Sequence, residues 1–71
     1  MNEASFYTQA HNIINGREVW HYLICCPIGD IHILEYEAKT HELFRIFIGA
    51  SNQEAEQKFE RLCIRMLKGT L

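Results

Sequence analysis

The sequence predicts an α+β domain of order α-β-β-β-α, with two helices on one face of a three-stranded antiparallel sheet. Three observations predict it. Residues 3–14 carry an apolar stripe at helical spacing. Three consecutive runs rich in β-branched and aromatic residues follow, joined by short turn sequences. The last third is an amphipathic segment with a start and a stop signal for a helix. At 71 residues there is room for one small domain, 1–71. A content of 48% hydrophobic and 23% charged residues is that of a globular chain rather than a disordered one.

In the first segment Phe6, Tyr7, Ala10, Ile13 and Ile14 share one side of a helical wheel, with Ser5, Thr8, Gln9 and Asn12 opposite. Asn2 is the candidate N-cap, and Asn15-Gly16 a helix stop with glycine suited to the left-handed position. Asn15-Gly16 also fits a hairpin turn between two strands. The lack of alternation over residues 6–14 favours the helix. Residues 17–26 read as a strand on Val19, Trp20, Tyr22, Leu23 and Ile24. Pro27-Ile28-Gly29-Asp30 makes a turn, residues 31–38 a second strand, Lys39-Thr40-His41 a reversal, and residues 42–48 a third strand. Such short connections imply an antiparallel meander. In the final helix Ser51 and Glu54 form a capping box, Ala55, Phe59, Leu62, Cys63, Met66 and Leu67 the apolar stripe, and Gly69 the stop. Two helices on one face would bury both stripes.

The strands lack a clean polar face. Trp20, Tyr22, Ile24 and Cys26 oppose Val19, His21, Leu23 and Cys25, and Phe44, Ile46 and Ile48 oppose Leu43, Arg45 and Phe47. A sheet covered by helices on one face only should turn polar groups outward. Ile64 adds a further apolar group about half a turn from the helix stripe. These patterns point to a non-enzymatic protein-interaction or homodimerisation module. Trp20, Tyr22, Leu23, Phe47 and Ile64 are the candidates for core or contact, with Leu23, Phe47 and Ile64 proposed for the interaction. The expected partner is a protein or a second copy.

Charge offers an alternative. The segment 58–71 carries Lys58, Arg61, Arg65 and Lys68 against Glu60, or +3, and the rest of the chain carries −5. These four cations make a basic edge on the helix that suits an acidic surface or the phosphates of RNA or DNA. A net charge of −2 argues against a strong grip on nucleic acid or anionic lipid. There is no apolar run of 18 residues to cross a membrane, and Met1-Asn2-Glu3 lacks the start of a signal peptide.

Chemistry finds little to work with. Three cysteines, Cys25, Cys26 and Cys63, give no closed disulfide framework and read as reduced thiols in a cytoplasmic compartment. His11, His21, His32 and His41 are scattered without metal-ligand spacing. No nucleophile motif or phosphate-cradling glycine loop is present, so no catalytic residue, metal or cofactor is expected.

The stretch Gly49-Ala50-Ser51-Asn52-Gln53-Glu54-Ala55, followed by Phe59, Cys63 and Leu67, resembles the last helix of double-stranded-RNA-binding domains, a G-x-S-x-x-x-A start with apolar residues after it. That family has α-β-β-β-α order at about this length. It grips phosphates with lysines at the start of this helix. Here the corresponding positions are Asn52, Gln53 and Glu56, so the resemblance implies a member that pairs with proteins rather than RNA.

Overall fold

The computed structural model describes residues 5–71 and contains four strands and one helix. Strand β1 spans Ser5–Ile14, β2 Arg17–Cys26, β3 Gly29–Glu37 and β4 Leu43–Gly49, and helix α1 covers Asn52–Lys68. The strands form one antiparallel meander in the order β1-β2-β3-β4, with every neighbour joined by a short turn. The expected three-stranded sheet with two helices is therefore corrected. The order is β-β-β-β-α, and the segment read as the first helix is a strand over residues 5–14. Its expected cap, Asn2, lies outside the described residues.

Two local features explain that correction. Asn15 and Gly16 both take positive φ, 52° and 76°, as a two-residue hairpin turn of the mirror-image type requires. Asn-Gly is the pair best able to adopt it. Within β1 the register shifts between Thr8 and Ala10, leaving Gln9 as an extra residue. Phe6 and Thr8 pair with Ile24 and Tyr22, whereas Ala10 and Asn12 pair with His21 and Val19. The bulge thus moves the alternation by one step in mid-strand. An apolar pattern interrupted in this way mimics helical spacing.

The remaining elements lie close to their expected places. Ser51 Oγ accepts from the Glu54 backbone N–H at 3.2 Å, which caps the helix. At the other end Gly69 is left-handed at φ 75°, its N–H donates to Met66 O, and the Thr70 N–H donates to Arg65 O. This is a Schellman closure, and glycine meets its positive φ without strain.

The helix packs on one side of the sheet. Ile14, Val19 and Leu34 meet Leu62 and Met66 in the core, with Tyr36, Ile48, Phe59, Cys63 and Leu71 around it. Leu34, Met66 and Val19 are the largest fully buried side chains. Polar ties hold the C-terminal end of the helix down. Asn15 Nδ2 donates to Met66 O at 3.3 Å, Lys39 Nζ to Gly69 O at 2.7 Å, and the buried Arg17 guanidinium to Glu37 O and Leu71 O at 3.2 and 2.6 Å. Each is a charged or amide donor meeting a main-chain carbonyl, the kind of bond that carries about 1 kcal/mol or more when shielded from water. Leu34→Ala is expected to lower the unfolding free energy by about 3 kcal/mol, while Ile28→Ala at the exposed β2–β3 turn changes it by less than about 0.5 kcal/mol; urea denaturation followed by circular dichroism checks both.

Candidate functional site

The face of the sheet turned away from α1 is the most distinctive surface of the molecule. Cross-strand partners share a face, so the register assigns it. Trp20 lies opposite Glu35, Tyr22 opposite Ile33, and Ile24 opposite Ile31. Phe6 faces Ile24, His11 faces Trp20, and Ile13 faces Glu18. Phe47 stands opposite Ile33, Arg45 opposite Glu35, and Leu43 opposite Glu37. No helix covers these groups. Phe47 is 70% exposed, Ile13 66%, Phe6 61% and Leu43 57%.

An aromatic row runs over β1 and β2 on this face. His11 stacks on Trp20 with ring centres 5.3 Å apart, Trp20 neighbours Tyr22 at 6.2 Å, and Tyr22 meets Phe6 at 4.9 Å. Beside it lies a shallow depression of about 350 Å³, walled by Phe6, Tyr22, Ile24, Ile33 and Phe47, with Glu35 and Arg45 at its side. Each charged side chain of the face has a partner on the same chain. Glu35 is buried and accepts from Arg45 Nε at 2.5 Å. Glu18 meets His11 Nε2 at 3.0 Å. Glu37 accepts from the Glu18 backbone N–H at 2.9 Å and approaches His41 at 3.2 Å. The Glu18 N–H bond, then His41, holds the Glu37 carboxyl below the usual carboxylate range. Burial, with the nearby Glu35 carboxylate, pushes the Tyr22 phenol up.

The sequence candidates fall on different surfaces. Phe47 is on this open face. Leu23 is on the helix side of β2, half-buried and opposite His32, and Ile64 sits on the outer side of α1. The structure does not bring the three together. Trp20 and Tyr22 are half-buried members of the open face. Lys58, Arg61, Arg65 and Lys68 are all exposed along α1, with Lys58 Nζ 4.0 Å from Glu54. Phe6 and Ile13 were hidden from sequence reasoning by the helical assignment of their segment. The Asn15-Gly16 turn was the signal that could have revealed them.

Beneath the helix lies a second polar feature. His21 and His32 are each 2% exposed and bond directly, Nε2 to Nδ1, at 2.8 Å. Phe59 of α1 lies over His21, with ring centres 6.1 Å apart. One ring nitrogen of the pair must donate and the other accept, so the contact holds one shared proton. Among the described residues no three His, Cys, Asp or Glu side chains converge as a metal site. All three cysteines are free. Desolvation, then the Asp30 carboxylate, raises the Cys25 thiol, which disfavours the reactive thiolate.

No protein-family model matches the chain, and neither a curated protein nor a solved structure matches it.

Burial, then the neighbouring His32, lowers the pKa of His21 below 6.5, against a smaller upward pull from Glu56. The folded form therefore binds fewer protons than the unfolded chain below pH 6.5. Its contribution to stability is complete above that value and is lost as pH falls from 6.5 through the folded pKa. The urea midpoint is expected to drop over that interval, and His21→Gln, which keeps a hydrogen-bonding side chain without a titrating ring, flattens the drop.

Proposed function

We propose that this chain is a self-association module that closes the open sheet face against a second copy. The observation that carries this reading is a continuous apolar face whose charges are already satisfied within the chain. Phe6, Ile13, Leu43 and Phe47 project from it, while Glu18, Glu35, Glu37 and Arg45 are held by internal partners. A partner need bring no countercharge to such a surface, and an identical copy meets it without unpaired charge.

The dimensions support the same occupant. Four strands about 4.8 Å apart and seven to ten residues long offer a footprint of roughly 600 Å² per copy. Two such faces clear the approximately 1,000 Å² expected of a specific interface. Two-fold packing of sheet on sheet would bury the aromatic rows of both copies, and buried aromatic groups contribute most to such contacts. The aromatic row also resembles a base-stacking platform in outline, but the one guanidinium of the face, Arg45, is already held by Glu35, which leaves it no free cation for a phosphate backbone. Three free thiols support placing the assembly in a reducing, cytoplasmic-type compartment.

Phe47→Glu puts an unpaired charge within the proposed contact. Light scattering across a concentration series at high salt is expected to give a dimer for the wild type and a monomer for the variant, with unchanged far-ultraviolet circular dichroism because Phe47 is outside the core. A wild-type monomer at high concentration, or a variant that keeps the wild-type mass, overturns the reading.

A further inference from the structure

The two margins of the sheet differ in charge. Helix α1 runs over the middle strands, and its flanks face opposite edges. On the β1 side a cleft of about 570 Å³ separates helix from strand, with Ala10 and Asn12 on the strand wall and Gln53, Glu56, Gln57 and Glu60 on the helix wall. At about 100° per residue, Lys58, Arg61, Arg65 and Lys68 project from the other flank, toward β4. The β4 flank also holds Glu54, 4.0 Å from Lys58, so it carries four cations against one carboxylate, while the β1 flank carries only Glu56 and Glu60; one margin is thus acidic and the other basic.

Below each flank the helix-side surface of the edge strand is uncovered. Phe44 and Ile46 share a face with the core residues Tyr36 and Leu34, yet are 45% and 39% exposed. Tyr7, opposite Leu23 on the same side of β1, is 53% exposed. Both edge strands also present a free hydrogen-bonding side, and neither contains proline.

Strand number sets what can join. With four antiparallel strands, β1 and β4 run in opposite directions. A copy shifted sideways in the plane of the sheet, apart from its twist, therefore lays β4 antiparallel to the β1 of its neighbour. With both helices on the same side, the basic flank of one copy then faces the acidic flank of the next. Joining β1 to β1 would set acid against acid, and joining β4 to β4 base against base. We propose that copies of this chain also associate edge to edge, β4 of one beside β1 of the next, in a head-to-tail contact that extends the sheet. This contact stands apart from the open-face dimer and uses different residues.

Helix axes in such a row lie about 19 Å apart, the width of four strands. With helices roughly 11 Å across, the gap between flanks is about 8 Å, within one Debye length at physiological salt. Charge therefore steers the join and salt weakens it. Phe44 and Ile46 of one copy and Tyr7 of the next line the floor of that gap, which gives it an apolar base. A head-to-tail contact does not close on itself in a dimer, so mass continues to rise with concentration.

The test reverses each flank in turn on the full chain. One variant carries Glu56→Lys and Glu60→Lys, the other Arg61→Glu and Arg65→Glu. All four side chains are exposed, and circular dichroism checks that the helix persists. At low ionic strength the wild type is expected to grow beyond a dimer with concentration, and each variant alone to stop growing, since like flanks now meet. An equimolar mixture restores opposite flanks at every join, so its average mass rises with concentration as the wild type's does, and it falls again on adding salt. Should a double variant lose its helix, Glu60→Lys or Arg61→Glu singly, which weakens the charge of its flank without reversing it, is expected to grow less than the wild type at low ionic strength, and growth of either to wild-type mass overturns the proposal. Growth of either variant alone to wild-type mass, or a mixture that keeps the separate masses, overturns the proposal. So does a mixture that fails to grow while wild type binds a short RNA duplex, which would assign the basic flank to nucleic acid. Loss of the open-face contact in Phe47→Glu leaves the mixing result intact, so the two readings fail separately.

Discussion

A single helix about 11 Å across cannot cover four strands about 19 Å wide, and most of the molecule follows from that mismatch. The helix shields the centre of one face, where Val19, Leu34, Leu62 and Met66 reach full or near-full burial. Outside that strip the apolar side chains have nothing of their own chain above them. Phe44 and Ile46 on the covered side are exposed because the helix is too narrow to reach them, and Phe6 and Phe47 on the other because no helix lies over that face. A domain of this size has little surplus stability. On the self-association proposed above, its spare apolar surface is surface kept for contact.

Polar groups show the complementary pattern. The charges near the open face are turned inward on one another, as in the Glu35–Arg45 pair, so that face is apolar in effect as well as in composition. On the helix the charges remain outward, with Glu56 and Glu60 on one flank and, apart from Glu54 beside Lys58, only cations on the other. The buried His21–His32 bond is a polar contact between the two central strands and beneath the helix. Its partners are fully enclosed, so loss of either leaves an unsatisfied group where none is tolerated cheaply.

Much of this was legible in the residues. Strand β2 was readable over its full length because Val19, Trp20, Tyr22 and Ile24 have strand composition, and α1 was readable from Ser51, Glu54 and Gly69, whose capping roles are local. The two-sided character of the sheet was legible too, because Leu43, Arg45 and Phe47 could be set against Phe44 and Ile46 by alternation alone. Strand β1 was not. Its alternation is broken by Gln9, and an interrupted period of two imitates a period of 3.6 over ten residues. Which face the helix would choose was also hidden, since both faces are apolar and the choice depends on how the helix settles. For that reason Leu23 and Phe47, similar in sequence character, ended on opposite sides.

The extra residue at Gln9 has an effect on how this margin can change over time. On either side of it the strand already sits in the pairing it would have if the residue were gone: Thr8 with Tyr22, Ala10 with His21. An in-frame codon loss at that point would leave every neighbour in place, whereas an added residue elsewhere in the strand would turn over all that lies between it and the free end. Tolerance of small insertions and deletions in this strand is thus concentrated at one position, and the outer segment can lengthen or shorten there without exchanging its two surfaces.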